Sequence, residues 1–170
     1  MIRAAILLAL VAAAPAPARA QVLGGDAAAC VGGGGPAILA GVTGLKDAKG
    51  AVKLEIYPAN ETDFLKGDRD LLAQGKTFRR VSAPAPASRE ATLCIRVPRP
   101  GRYALLFTHD RDGKNKFNFW SDGAGFASNA RIGRARPRLA QATVDVGAGV
   151  TKVTIRAQYL RGLGGFSPLR

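Results

Sequence analysis

ATLCIRVPRPGRYALLFTH, residues 91–109, holds two strands and the turn between them. Ala91, Leu93, Ile95 and Val97 alternate with Thr92, Cys94 and Arg96. Successive side chains of a strand point to opposite faces, so this period of two marks a strand with one buried and one wet face. Pro98-Arg99-Pro100-Gly101 cannot continue it and supplies the turn. Arg102 to His109 follows, apolar on both faces as a central strand is.

The same period extends outward. Val52, Leu54 and Ile56 alternate with Lys53, Glu55 and Tyr57, Ala142, Val144 and Val146 with Thr143 and Asp145, and Val153, Ile155, Ala157 and Tyr159 with Lys152, Thr154, Arg156 and Gln158. Ile38 to Val42 and Phe78 to Ser82 are shorter strand candidates, and only Asp63 to Gln74 has room for a helical turn or two. Asp47-Ala48-Lys49-Gly50 and Gly147-Ala148-Gly149 are turn signals, the latter read as the last hairpin. About seven short strands with Gly and Pro turns predict an all-β, antiparallel sandwich with one long loop.

The N-terminus places the chain in a compartment. Arg3 precedes an apolar run, Ala4 to Ala14, and Ala18-Arg19-Ala20 has the small-x-small form of a cleavage site. Residues 1–20 therefore read as a signal peptide, and the expected location is periplasmic or secreted. The run is too short for a membrane span, and no transmembrane segment is expected elsewhere. Residues 21–36, with glycines at 32 to 35, read as a flexible leader, 37–160 as the sandwich domain and 161–170 as a C-terminal tail. Cys30 and Cys94 are an even pair in an oxidising compartment, which favours a disulfide. Because Cys94 shares the outward face with Thr92 and Arg96, such a bond pins the leader outside the sheet rather than across the core.

The chain carries 25 Lys+Arg against 12 Asp+Glu. Loss of Arg3 and Arg19 with the signal leaves 23 against 12, a net +11. That balance favours polyanionic partners. Arg131, Arg134, Arg136 and Arg138 fall within eight residues with no acid between them, and Lys76, Arg79 and Arg80 form a smaller group. Arginine suits bidentate phosphate and carboxylate contacts, so the expected partner is an anionic envelope lipid or glycan. Nucleic acid is not expected, since the chain is read as exported and lacks a nucleic-acid motif.

Residues 109–138 depart most from a scaffold. An excursion of this length is usually functional or disordered, and Phe117, Phe119, Trp120 and Phe126 make it too aromatic for disorder. The aromatics either cap one end of the sandwich or, in the alternative reading, form a platform over 117–126, chiefly Phe119 and Trp120, for a glycan or small ligand. His109, the only histidine, falls in register with Tyr103, Leu105 and Phe107 and is expected to be a hydrogen-bonded structural group. A hydrolase would have to recruit it with Asp110 and Ser128, but neighbours on a strand face opposite ways and no G-x-S-x-G elbow occurs, so no enzyme is expected. Asp110 and Asp112 are the candidate metal ligands. Calcium takes about six to eight oxygens, whereas Arg111, Lys114 and Lys116 outnumber these two carboxylates and the next acid is Asp122. The aspartates are therefore expected to shape a turn, with no metal and no cofactor.

The signal, Thr43-Gly44-Leu45, Pro100-Gly101-Arg102-Tyr103, His109-Asp110, Gly125-Phe126-Ala127-Ser128-Asn129 with Arg131, and Thr154-Ile155-Arg156 form a connected pattern. Together they resemble a bacterial secreted family known only as domain of unknown function 2141, over roughly Ala37 to Leu160. The resemblance implies a compact sandwich of transthyretin or peptidase-regulatory-domain style and implies no established activity. The function expected is that of an exported, non-enzymatic accessory protein.

Overall fold

A computed structural model describes residues 21–169; the expected signal peptide lies outside the described residues. The chain forms an all-β sandwich. The smaller sheet runs β1 (Val22–Leu23), β5 (Ala91–Arg96), β2 (Ala37–Thr43), β9 (Val150–Arg156). The larger runs β11 (Phe166–Pro168), β10 (Gln158–Leu160), β7 (Gly123–Gly125), β6 (Gly101–Asp110), β3 (Ala51–Pro58), β4 (Arg79–Pro84), with β8 (Thr143–Val146) on the early half of β6. Three short α-helices, α1 (Ala27–Val31), α2 (Asp68–Ala73) and α3 (Leu139–Ala142), and one 3-10 turn, Gly162–Gly164, complete the described elements.

The larger sheet is antiparallel throughout, but β2 runs parallel to β9 and β1 parallel to β5. The expected final hairpin is accordingly corrected. β8 pairs with β6 and β9 with β2, so Gly147-Ala148-Gly149 carries the chain from one sheet to the other. The turns at 47–50 and 98–101 also cross between sheets. Such a crossing lets consecutive strands each bury their apolar side toward the shared core.

That core follows the period of two. Ile38, Ala40, Leu93 and Ile95 of the smaller sheet meet Val52, Leu54, Ile56, Leu105 and Phe107 of the larger, all fully buried. The expected wet face of β3 is a second correction: Lys53, Glu55 and Tyr57 are buried. Side chains from segments 59–78 and 126–142 cover that face. Tyr57, Phe64, Leu71, Ala104, Phe126 and Ala142 build a second apolar cluster there, and this explains why β6 is apolar on both sides. Burying a side chain such as Phe64 or Phe126 contributes about 1.5–3 kcal/mol.

The expected flexible leader is structured. β1 pairs Val22 with Thr92 and Leu23 with Leu93, and Cys30 is bonded to Cys94. The Asp26 carboxylate accepts from Nε and Nη2 of Arg79 and from the Arg96 amide. Together these ties outweigh the conformational freedom of the glycines. They lay α1 across the outer face of the smaller sheet, which is where the outward register of Cys94 puts the bond. The expected tail also joins the fold, since β11 pairs with β10 and Phe166 exchanges two backbone bonds with Gly133.

Candidate functional site

Two features stand out on the larger sheet: a cleft on its outer face, and an exposed patch at the edge of the long loop.

The cleft, about 590 Å³, has a polar floor. Strand alternation puts Lys53 and Glu55 of β3 beside Thr108 and Asp110 of β6 on that face. The floor's charges are bonded internally. Lys53 Nζ donates to Asp110 Oδ2 and, at 2.6 Å, to Asn115 Oδ1. Glu55 accepts the Tyr57 hydroxyl and Arg80 Nε at 2.5 Å, and Arg80 Nη1 reaches Asp68 at 3.0 Å. Burial and the neighbouring Glu55 push the Tyr57 phenol far up, so it stays a neutral donor. Leu65, Leu106, Phe117, Phe126 and Pro137 form apolar walls. One buried polar atom is left over: Asp110 Oδ1 has no hydrogen-bond partner among the described residues.

Beyond this floor the loop between β6 and β7 is knotted by its aspartates. Asp122 Oδ1 accepts from the Arg111 amide at 2.9 Å and Oδ2 from the Asn118 amide at 2.8 Å. Asp112 accepts from the Lys114 amide and from Asn118 Nδ2, and the Asn118 bond leads in holding its carboxyl below the usual range. The turn-shaping role expected for Asp110 and Asp112 is thus present. Sequence reasoning missed that Asp122 returns to them: oxygens of Asp110, Asp112 and Asp122 lie within 4.8 Å of one another. Charge counting along the loop also misled. The Arg111 guanidinium turns away to the Asp47 carboxylate, at 2.5 Å, and to the Ser121 carbonyl. Asp47 is lowered to about 2, chiefly by Arg111.

His109 faces the sandwich interior and is fully buried. Its Nδ1 lies 2.7 Å from the Tyr159 hydroxyl and its Nε2 2.8 Å from the Lys49 carbonyl. Asp110 is on the opposite face, and Ser128 Oγ accepts from the Ala130 amide. The structure does not bring these three together, and the residues of the conceivable triad stand in separate surroundings.

The aromatic loop divides. Phe126 enters the second core, whereas Phe117, Phe119 and Trp120 are exposed, Trp120 at 81%. Phe117 lies tilted against Phe166 of β11 with centroids 6.0 Å apart, and Phe119 meets both Phe166, at 5.0 Å, and Trp120 edge to face. Arg134 and Arg136 border a shallow hollow with Phe117, Phe119 and Phe166. Arg131 donates to the Gly164 carbonyl beside Leu163, which is 86% exposed. Arg136 donates to the Phe64 carbonyl, and Arg131, Arg136 and Arg138 line a neighbouring hollow. None of Arg131, Arg134, Arg136 and Arg138 has an acidic partner among the described residues. The smaller basic group behaves oppositely: Lys76 pairs with Asp63, Arg79 with Asp26, and Arg80 with Glu55 and Asp68.

Among the described residues no helix is long and apolar enough to cross a membrane. A family model described as an uncharacterized protein conserved in bacteria (DUF2141) matches residues 41–154. No curated protein and no solved structure matches the chain.

Proposed function

The chain belongs to the DUF2141 family of uncharacterized bacterial proteins, and from that premise we propose that it is an exported, non-enzymatic envelope protein that docks on anionic lipid. One observation carries this reading. Arg134 and Arg136 share a hollow with exposed Phe117 and Phe119, Trp120 stands against Phe119, Arg131 bonds Gly164 next to exposed Leu163, and Arg138 shares a second hollow with Arg131 and Arg136, none of the four having an acidic partner among the described residues. Exposed apolar side chains grouped with unpaired basic ones fit the boundary of a bilayer, where rings enter the headgroup layer and guanidiniums meet lipid phosphates. The signal-like N-terminus and the Cys30–Cys94 disulfide support a location outside the cytoplasm.

The test is co-sedimentation with vesicles of phosphatidylglycerol and phosphatidylcholine, against phosphatidylcholine alone. Each basic residue near an anionic surface contributes about 1 kcal/mol. Replacing Arg131, Arg134, Arg136 and Arg138 by Gln should therefore weaken binding about a thousandfold. Binding by the wild type should also fall with salt, since exposed charges are screened over about 8 Å at physiological ionic strength. Equal binding by both proteins overturns the reading. Salt-insensitive binding to a glycan, lost with Trp120→Ala, would favour the ligand-platform alternative.

A further inference from the structure

The acidic residues of the long loop have an arrangement that the docking patch does not use. Asp110 ends β6, Asp112 lies in the turn that follows, and Asp122 directly precedes β7. Their carboxylate oxygens converge within 4.8 Å of one another. Two of the three are withdrawn from water, with Asp110 3% and Asp122 1% exposed. Like charges this close repel, and desolvation removes the water that would screen them.

The cations at hand do not balance the cluster. Lys53 is the only buried Lys or Arg among the described residues, and it is committed to Asp110 Oδ2 and Asn115 Oδ1. Arg111 is taken by Asp47. Lys114 Nζ stands 3.6 Å from Asp112 Oδ2, but its side chain is 74% exposed. A sequence stretch that counts as basic is therefore acidic at its centre. A second sign is an orphan oxygen on one of the three carboxylates: Asp110 Oδ1 is buried and has no donor among the described residues. A buried carboxylate oxygen without a partner is costly, and a bound cation would supply what it lacks.

We propose that Asp110, Asp112 and Asp122 form a binding site for a hard divalent cation of the calcium class. The donors are all oxygen, which disfavours zinc and copper, sites that draw on nitrogen or sulfur. An irregular loop suits calcium, which accepts variable geometry, better than magnesium, which demands a near-ideal octahedron. The amide bonds to Asp122 and Asp112 fix their orientation while leaving lone pairs for the ion. Occupation joins the end of β6 to the start of β7. It would thereby close the segment that presents Phe117, Phe119 and Trp120, although the site does not depend on the lipid-docking reading.

The experiment uses the disulfide-intact chain after chelator treatment, titrated with calcium chloride by calorimetry and followed by thermal unfolding. Calcium modules outside the cytosol work at about 10⁻⁴–10⁻³ M. The expected result is a saturable heat, and a midpoint raised by about 5–10 °C once calcium exceeds its dissociation constant a hundredfold. Asp112→Asn, at a partly exposed position that should leave the fold intact, and Asp122→Asn should each weaken calcium binding at least tenfold. No heat and no shift in the folded wild type overturn the proposal, as does an equal response in Asp112→Asn. An equal response to magnesium overturns the calcium assignment.

Discussion

His109 and Tyr159 are locked to each other inside the sandwich, Nδ1 to hydroxyl at 2.7 Å, and the surrounding bonds fix which of them donates. The Tyr159 oxygen accepts the Lys46 amide at 2.9 Å, so its own hydrogen is free to go to His109 Nδ1. His109 Nε2 then carries the proton and donates to the Lys49 carbonyl. The ring is neutral, with its proton on Nε2. Burial moves Tyr159 up to about 12 and His109 below its usual value, both by penalising the charged form.

Stability should therefore fall as pH drops below about 6.5. There the unfolded histidine takes up a proton that the folded one resists, so the unfolded state binds more protons and stability rises with pH. The slope should approach, without exceeding, about 1.4 kcal/mol per pH unit. Since this is the only histidine, the lowered Asp26 and Asp47 act only in more acid solution. Urea unfolding from pH 7.5 to 5 checks it, and a flat profile refutes the assignment.

Removing the Cys30–Cys94 bond should cost close to its full loop-entropy value. The bond closes a separation of 64 residues, for which chain-entropy arithmetic gives about 4 kcal/mol. A flexible leader would dilute that, but α1 and β1 are held by Asp26 and by pairing with β5. The paired Cys→Ala variant should lose about 3–4 kcal/mol by denaturant unfolding. A loss under 1 kcal/mol would show the leader loosely attached.

Gly50→Ala should destabilise the fold by more than about 1 kcal/mol. Gly50 has a φ of +69°, and a Cβ there would overlap the Asp110 carbonyl oxygen. The Lys49 carbonyl that receives His109 precedes it, so the displacement should reach that histidine. Its imidazole resonances in NMR spectra of the variant report the change.

Trp120→Ala should leave the thermal midpoint within about 1 °C, because the indole is 81% exposed and meets Phe119 edge to face at the surface. The same variant should bind anionic vesicles several-fold more weakly. Loss of fold instead would make Trp120 a structural residue.

Most strand positions are written in local alternation. Alternation in Val52–Tyr57 and Ala91–Val97 depends only on which residues avoid water, and the disulfide's place followed from the outward register of Cys94; the run Lys152–Tyr159, read as one strand, instead parts at Ala157 into β9 and β10 of different sheets. Alternation also set the structural role of His109, whose register with Phe107 turns it inward. Tertiary structure decided which strands pair, that β8 and β9 part to different sheets, and that Lys53, Glu55 and Tyr57 are covered. It also drew the glycine-rich start and the last residues into the sheets. The candidate sites were half legible: the arginine run and the aspartate pair are written in sequence. That Arg79 and Arg80 are neutralised while Arg134 is not, and that Asp122 comes back to Asp110, was decided only in the fold. Periodicity is a local property of one strand against water. Charge pairing and convergence join residues distant in sequence, and only chain closure brings those together.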